Sequence, residues 1–201
     1  MISRMLLILA VLLPKAGLGS EEPIEQLRVM TYNIHHCQGR DRKTSVARIA
    51  NVIKQSNPDL VALQEVDVGT RRSGRVNQAE EIARLTGMQP VFGAAIRYLG
   101  GEYGNVVLAK SAIIGKKSVA LPKPGGEQRA AVGLAIRLER RLVVTLISTH
   151  FDHESLDSRV QASRTIAKIV ADSPNPVIVA GDLNCLREAP ELAPLLSVVR
   201  L

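Results

Sequence analysis

Residues 44–67, TSVARIANVIKQSNPDLVALQEVD, decide how the chain is read. Val46, Ile49, Ala50, Val52 and Ile53 recur at helical spacing, Thr44 stands as a candidate N-cap, and Pro58 stops the helix. Asp59 to Gln64 then forms a short continuous apolar run, suited to a strand buried on both faces. The run ends in Gln64-Glu65-Val66-Asp67, a polar cluster rather than a simple turn.

Working outward, Leu27 to Ile34 reads as a first strand, and Asn77 to Leu85 as a second helix closed by Gly87. Four strand-like runs follow, at Pro90–Ile96, Asn105–Ala109, Ala130–Leu138 and Leu142–Ser148. The last two meet at Glu139-Arg140-Arg141, a hairpin turn. Ser155 to Ala171 is a third helix and Pro176 to Ala180 another buried strand. Helices are interspersed among strands that occur singly and in hairpins. That favours a mixed-sheet α/β sandwich over a TIM barrel, whose strict alternation is missing.

The 201 residues are 46% hydrophobic and 22% charged, the balance of one globular domain. Three Tyr, two Phe and no Trp argue against sugar platforms and against single-strand binding by base stacking. A net charge of +7 suits an acidic substrate. Two cysteines exclude a disulfide scaffold and a four-Cys zinc site, and Cys37 and Cys185 are expected as free thiols, with a bridge between them in an oxidising compartment as the alternative. At the N-terminus, Arg4, the apolar run Met5–Leu13 and the small residues Ala16-Gly17-Leu18-Gly19 read as a signal peptide over 1–19. The run is too short for a bilayer core of about 30 Å. Export to the periplasm or outside the cell is the expectation, with an uncleaved membrane anchor as the alternative.

Most strands end in polar clusters. The others are Tyr32-Asn33-Ile34-His35-His36, Ser148-Thr149-His150-Phe151-Asp152-His153 and Gly181-Asp182-Leu183-Asn184. Taken singly, Glu65, Asn33 and Asn184 are ordinary turn residues, and His35 and His36 solvated loop residues. Together they suggest one shared site, because ligands of helix-covered sheets bind beyond strand ends. A carboxylate with amide oxygens is hard ligation suited to Mg²⁺ or Mn²⁺, and carboxylate and imidazole can position water for phosphoester hydrolysis. Arg129 and the basic loop Arg71-Arg72-Ser73-Gly74-Arg75 would hold an anionic substrate. Two other chemistries stay open. One is a zinc site of His35, His36, Cys37, His150 and His153. The other is a glycosidase pairing Glu65 with Asp182, disfavoured by the scarcity of aromatics.

With those clusters in order, the sequence resembles the endonuclease/exonuclease/phosphatase superfamily. The matching stretches are LRVMTYNIHH, PDLVALQEVD, GEYGNVVLAK, GEQRAA, STHFDH and VIVAGDLN, from Leu27 to Asn184. The resemblance implies a four-layer α/β sandwich of two mixed sheets flanked by helices, with one domain over 27–201, and a divalent-metal hydrolase of phosphoester bonds. It implies Asn33 and Glu65 as metal ligands, His150 as phosphate-stabilising histidine, Asp182 on the attacking water and Asn184 beside it. Asn105 and Arg129 resemble substrate-side positions, and Asp152-His153 matches a pair seen in an exported bacterial branch. Implied partners are phosphorylated substrates, whether nucleic acid, inositol phosphate or a phospholipid headgroup with peripheral membrane contact. Family members close on an S-D-H motif, whereas none of residues 185–201 is Asp or His. A domain lacking the family's last strands is therefore expected, with an inactive phosphate- or membrane-surface-binding domain as the alternative function.

Overall fold

Strand β2 (Gln26–Asn33) sends alternate side chains to two different cores, and that alternation sets the layers. In the computed structural model, which describes residues 6–12, 26–138 and 142–200, Leu27 and Val29 enter one core and Met30 the other. Strand β3 (Leu60–Val68) repeats this, with Leu60 on the first side and Val61, Leu63 and Val66 on the second. Burial on both faces is why Asp59–Gln64 reads as one apolar run. A fully buried Leu or Ile of this kind contributes about 1.5–3 kcal/mol.

One sheet runs β1-β2-β3-β5-β4, adding β1 (Leu6–Leu12), β4 (Gln89–Tyr98) and β5 (Gly101–Ala109). The other runs β6-β7-β8-β9, from β6 (Ile113–Ala120), β7 (Ala130–Arg137), β8 (Val143–His150) and β9 (Val177–Asp182). The pairs β2–β3 and β8–β9 are parallel, and each is joined through a helix, as parallel neighbours require. Helices α1 (Val46–Ser56) and α2 (Gln78–Thr86) supply Ile49, Ile53, Ile82 and Ala83 to the outer core of the first sheet. Helices α3 (Leu156–Ala171) and α4 (Ala193–Leu196) supply Ala162, Ile166 and Leu195 to that of the second. Val132, Leu134, Ile136, Val144 and Leu146 meet Leu27, Val29 and Leu60 between the sheets. The expected four-layer sandwich is what the chain forms.

Departures from the sequence reading are local. Ser45, not Thr44, caps α1, its Oγ accepting the Arg48 N–H at 3.4 Å. Asn77, Gly87 and Ser155 bound the other helices as their residue types lead one to expect. Strand β6 was not anticipated, since IIGKKSVA carries no apolar alternation. Lys116 and Lys117 are exposed on this edge strand, where charge deters pairing with other chains. The turn at Glu139–Arg141 lies outside the described residues. So do residues 1–5 and 13–25 of the N-terminal reading, while Leu6–Leu12 pairs antiparallel with β2, Leu6 opposite Tyr32 and Leu12 opposite Gln26. Among the described residues no helix is long and apolar enough to cross a membrane.

Candidate active site

The site is built where strands of both sheets end. Asn33 closes β2 and is buried, while Glu65 sits in β3 at a bulge between Leu63 and Val66, with φ of 60°. A bulge re-aims the side chain it carries. Asn33 Nδ2 donates to Glu65 Oε1 at 2.8 Å and to Asp182 Oδ2, at the end of β9, at 3.0 Å. One amide thus gathers two carboxylates from different sheets. Its own Oδ1 accepts the His35 N–H at 3.1 Å. Asp182 Oδ1 accepts the Asn184 N–H at 3.1 Å, and Asn184 Nδ2 donates to the Phe151 carbonyl at 2.9 Å, clasping the β8 and β9 ends together.

His150, the last residue of β8, is the register partner of Asp182. The Arg129 guanidinium lies between Glu127 Oε1 (2.8 Å), His150 Nδ1 (3.3 Å) and His153 Nδ1 (3.2 Å). Guanidinium only donates, so His150 Nδ1 accepts and the proton of the neutral ring sits on Nε2. Burial, and then the charge of Arg129, push the His150 pKa down to about 3. An unfolded imidazole titrates near 6.5. Between those values the unfolded chain binds the additional proton, so this contribution is complete above pH 6.5 and is lost as pH falls toward 3. The expected slope is up to about 1.4 kcal/mol per pH unit. Urea melts of wild type and His150→Asn across pH 7 to 4 would read it, and equal slopes in both proteins would refute it.

Asn105 is also at hand, but its Nδ2 donates to the Ala130 carbonyl at 2.8 Å, tying β5 to β7. In the basic loop, two of the three arginines have partners within the protein. Arg72 is bound by buried Asp67 through two 2.8 Å hydrogen bonds and lies 4.6 Å over the Tyr98 ring. Arg75 donates to the Gly69 and Gly100 carbonyls. Arg72 thus braces its own loop, and Arg75 ties that loop to the β4–β5 turn. Nor is the five-residue zinc set assembled: His150 and His153 meet Arg129, and Cys37 is buried with its thiol pushed up to about 12 by burial and by Asp67. Donor atoms of His35, His36 and Glu65, by contrast, lie within 4.8 Å of one another. Both cysteines are free thiols, as expected.

Sequence reasoning did not single out Gln78, and it named Gln64 and Asp152 without the bracing roles they have here. Gln78 accepts the Asp67 N–H at 3.0 Å and donates to the His36 carbonyl at 2.8 Å, pinning the histidine loop to β3. Gln64, a polar residue closing the apolar run, bonds Thr31 on the neighbouring strand and Ser148 on the facing sheet. Asp152 is a clamp whose carboxylate accepts N–H groups of Glu127, Glu154 and Ser155 at 2.8, 2.9 and 2.6 Å. Burial opposes its ionisation, but these bonds and Arg129 outweigh it and hold the carboxyl below the usual range. Asp152→Ala leaves three N–H groups without that acceptor and should cost about 3 kcal/mol. A denaturant melt checks this, and an unchanged midpoint would show the clamp to be idle.

The chain is an α/β/β/α sandwich with carboxylates, amides and a neutral imidazole gathered at its strand ends. It belongs to the Endonuclease/Exonuclease/phosphatase family, whose model matches residues 30–198. These are hydrolases of phosphoester bonds that generally use divalent metals. Protein cwh43 of Schizosaccharomyces pombe (strain 972 / ATCC 24843) is 25% identical over 151 residues, covering 75% of this chain and 15% of that protein. The endonuclease/exonuclease/phosphatase from Beutenbergia cavernae DSM 12333 is similar at a TM-score of 0.66 and 25% identity, over 82% of this chain and 50% of that one. The mannosyl-6-phosphatase Bt3783 of Bacteroides thetaiotaomicron VPI-5482 shares the fold at a TM-score of 0.68 and 16% identity, over 85% of this chain and 70% of that one. The chain therefore spans about half the length of the Beutenbergia structure and far less of the yeast protein.

Proposed function

We propose that this chain is a divalent-metal-dependent phosphoesterase with Mg²⁺ or Mn²⁺ seated at Asn33 and Glu65. The observation that supports it is the Asn33 amide bridging the Glu65 and Asp182 carboxylates. Two carboxylates brought that close repel each other, and a hard cation relieves the repulsion using the oxygens already present. The carboxylate oxygens fit such an ion as they stand, and Asn33 would ligate through its Oδ1 once the amide turns from the His35 N–H. When bound, it supplies Lewis-acid polarisation of a phosphoryl oxygen.

The chain's own groups do the rest. Asp182, held by Asn33 and Asn184, orients or deprotonates the attacking water. His150, neutral and protonated on Nε2, donates to the phosphoryl oxygen where charge develops. Arg129 fixes that tautomer and brings positive charge to the substrate side, where Asn105 also lies. Asn184 acts as a positioning residue through Phe151. The substrate is a phosphorylated molecule such as a nucleic acid, inositol phosphate or phospholipid headgroup.

Glu65→Gln replaces an anionic ligand by a neutral one, and Mg²⁺ affinity should fall by at least about tenfold. Calorimetry reads this, and equal affinity would remove Glu65 from the ligand role. Assays on bis(p-nitrophenyl) phosphate and p-nitrophenyl phosphate separate diesterase from monoesterase. Metal binding without turnover of either would favour a phosphate-binding domain.

The N-terminal reading is export of the chain. Cleavage after Gly19 would remove β1 and uncover the β2 edge, so the mass of the mature protein distinguishes a cleaved leader from a retained strand.

A further inference from the structure

We infer that His35, His36 and Glu65 form a second divalent-cation position that prefers nitrogen-liking ions such as Zn²⁺ or Co²⁺ to Mg²⁺. The inference rests on the proposed function in one respect, since Glu65 would serve both positions. The three side chains offer one ligand atom each, and these lie within 4.8 Å of one another. A metal about 2.0–2.2 Å from imidazole nitrogen and carboxylate oxygen needs donors roughly 3–4 Å apart, which small side-chain rotations reach from here. The two rings already stand together, with centroids 4.3 Å apart and planes at 50°.

The backbone supports the same point from both sides. His35, His36 and Cys37 have φ of 47°, 42° and 63°, three successive left-handed residues without a glycine. Each costs about 1–2 kcal/mol, so neighbouring structure must hold them there. It does so through Cys37, buried in the outer core with its N–H on the Ile34 carbonyl at 2.9 Å, and through Gln78, whose amide grips the His36 carbonyl at 2.8 Å. Opposite them, Glu65 is left-handed within the β3 bulge, at φ of 60°. Two strained segments, the turn after β2 and the bulge of β3, thus present two imidazoles and one carboxylate to one point. That donor set suits Zn²⁺ and Co²⁺, with coordination positions left for water or a phosphoryl oxygen, whereas Mg²⁺ is served by oxygen.

The test uses the full chain, with Co²⁺ binding followed by visible absorption, Mg²⁺ binding by calorimetry and a thermal melt of each protein. Asn tolerates the left-handed conformation, so His35→Asn/His36→Asn removes the imidazoles without imposing new backbone strain. The expected result is a loss of Co²⁺ affinity of at least about 100-fold in the double variant, with the Mg²⁺ isotherm kept. His35→Asn alone, at a half-buried position, should lower Co²⁺ affinity in the same direction should the double variant melt early. Unchanged Co²⁺ affinity in the variants would overturn the site, and joint loss of Mg²⁺ and Co²⁺ from a folded variant would overturn its separateness. Retained Mg²⁺ affinity in Glu65→Gln would instead sink the metal reading of the proposed function, leaving the histidine result to stand by itself.

Discussion

Asp182→Asn is expected to lower turnover of bis(p-nitrophenyl) phosphate about 10²–10⁴-fold, the usual cost of losing a positioned acid or base. The substitution keeps an oxygen for the Asn184 N–H, so the clasp between the β8 and β9 ends should persist. It removes one of the two carboxylates that the Asn33 amide draws together, and with it their repulsion. The new amide nitrogen faces the Asn33 donor and loses that hydrogen bond, which offsets the relieved repulsion, so the thermal midpoint should move little and separate chemistry from folding. Steady-state assays with Mg²⁺ or Mn²⁺, run beside melts of the same preparations, provide the check. Turnover equal to wild type would take Asp182 out of the reaction.

Gly181→Ala is expected to damage both stability and activity. Gly181 has φ of 156°, and a Cβ there would collide with the Thr149 carbonyl oxygen of the neighbouring strand. That oxygen belongs to backbone, so no side-chain rotation relieves the clash, and β9 must shift away from β8. The cost should be about 3 kcal/mol or more, the upper range for forced overpacking. For a domain of this size that corresponds to a fall in Tm of roughly 6 °C or more. Because Asp182 is the next residue, turnover should fall with the shift even at temperatures where the variant stays folded. A variant that melts and turns over like wild type would show that β8 and β9 can separate freely here.

Much of the fold was legible because it rests on short-range regularities. Helical spacing from Val46 to Ile53, the stop at Pro58 and the apolar run after it require only neighbours in sequence, and all three are observed. Where the signal was absent, so was the reading. IIGKKSVA becomes a strand because β7 supplies its hydrogen bonds, not because its residues alternate. Thr44 and Ser45 both carry a capping hydroxyl, but Thr44 is engaged in a β-bridge with Gln38, which leaves the cap to Ser45.

For the site, the residue types were legible, and so was the place of Asn33, His150 and Asp182 at strand ends, whereas Glu65 lies inside β3. The strand-end places follow from where apolar runs stop and polar clusters begin. Only the tertiary structure decided which of those residues meet. Asn33 reaches Asp182 across 149 positions, through the packing of one sheet on the other. Glu65 points at Asn33 because a bulge in β3 turns it there, a backbone irregularity with no residue pattern to announce it. Charge in the sequence did not distinguish Arg72, held by the buried Asp67, from Arg129, set against His150. The two arginines carry the same group, and their partners are fixed by packing between segments that local sequence does not bring together.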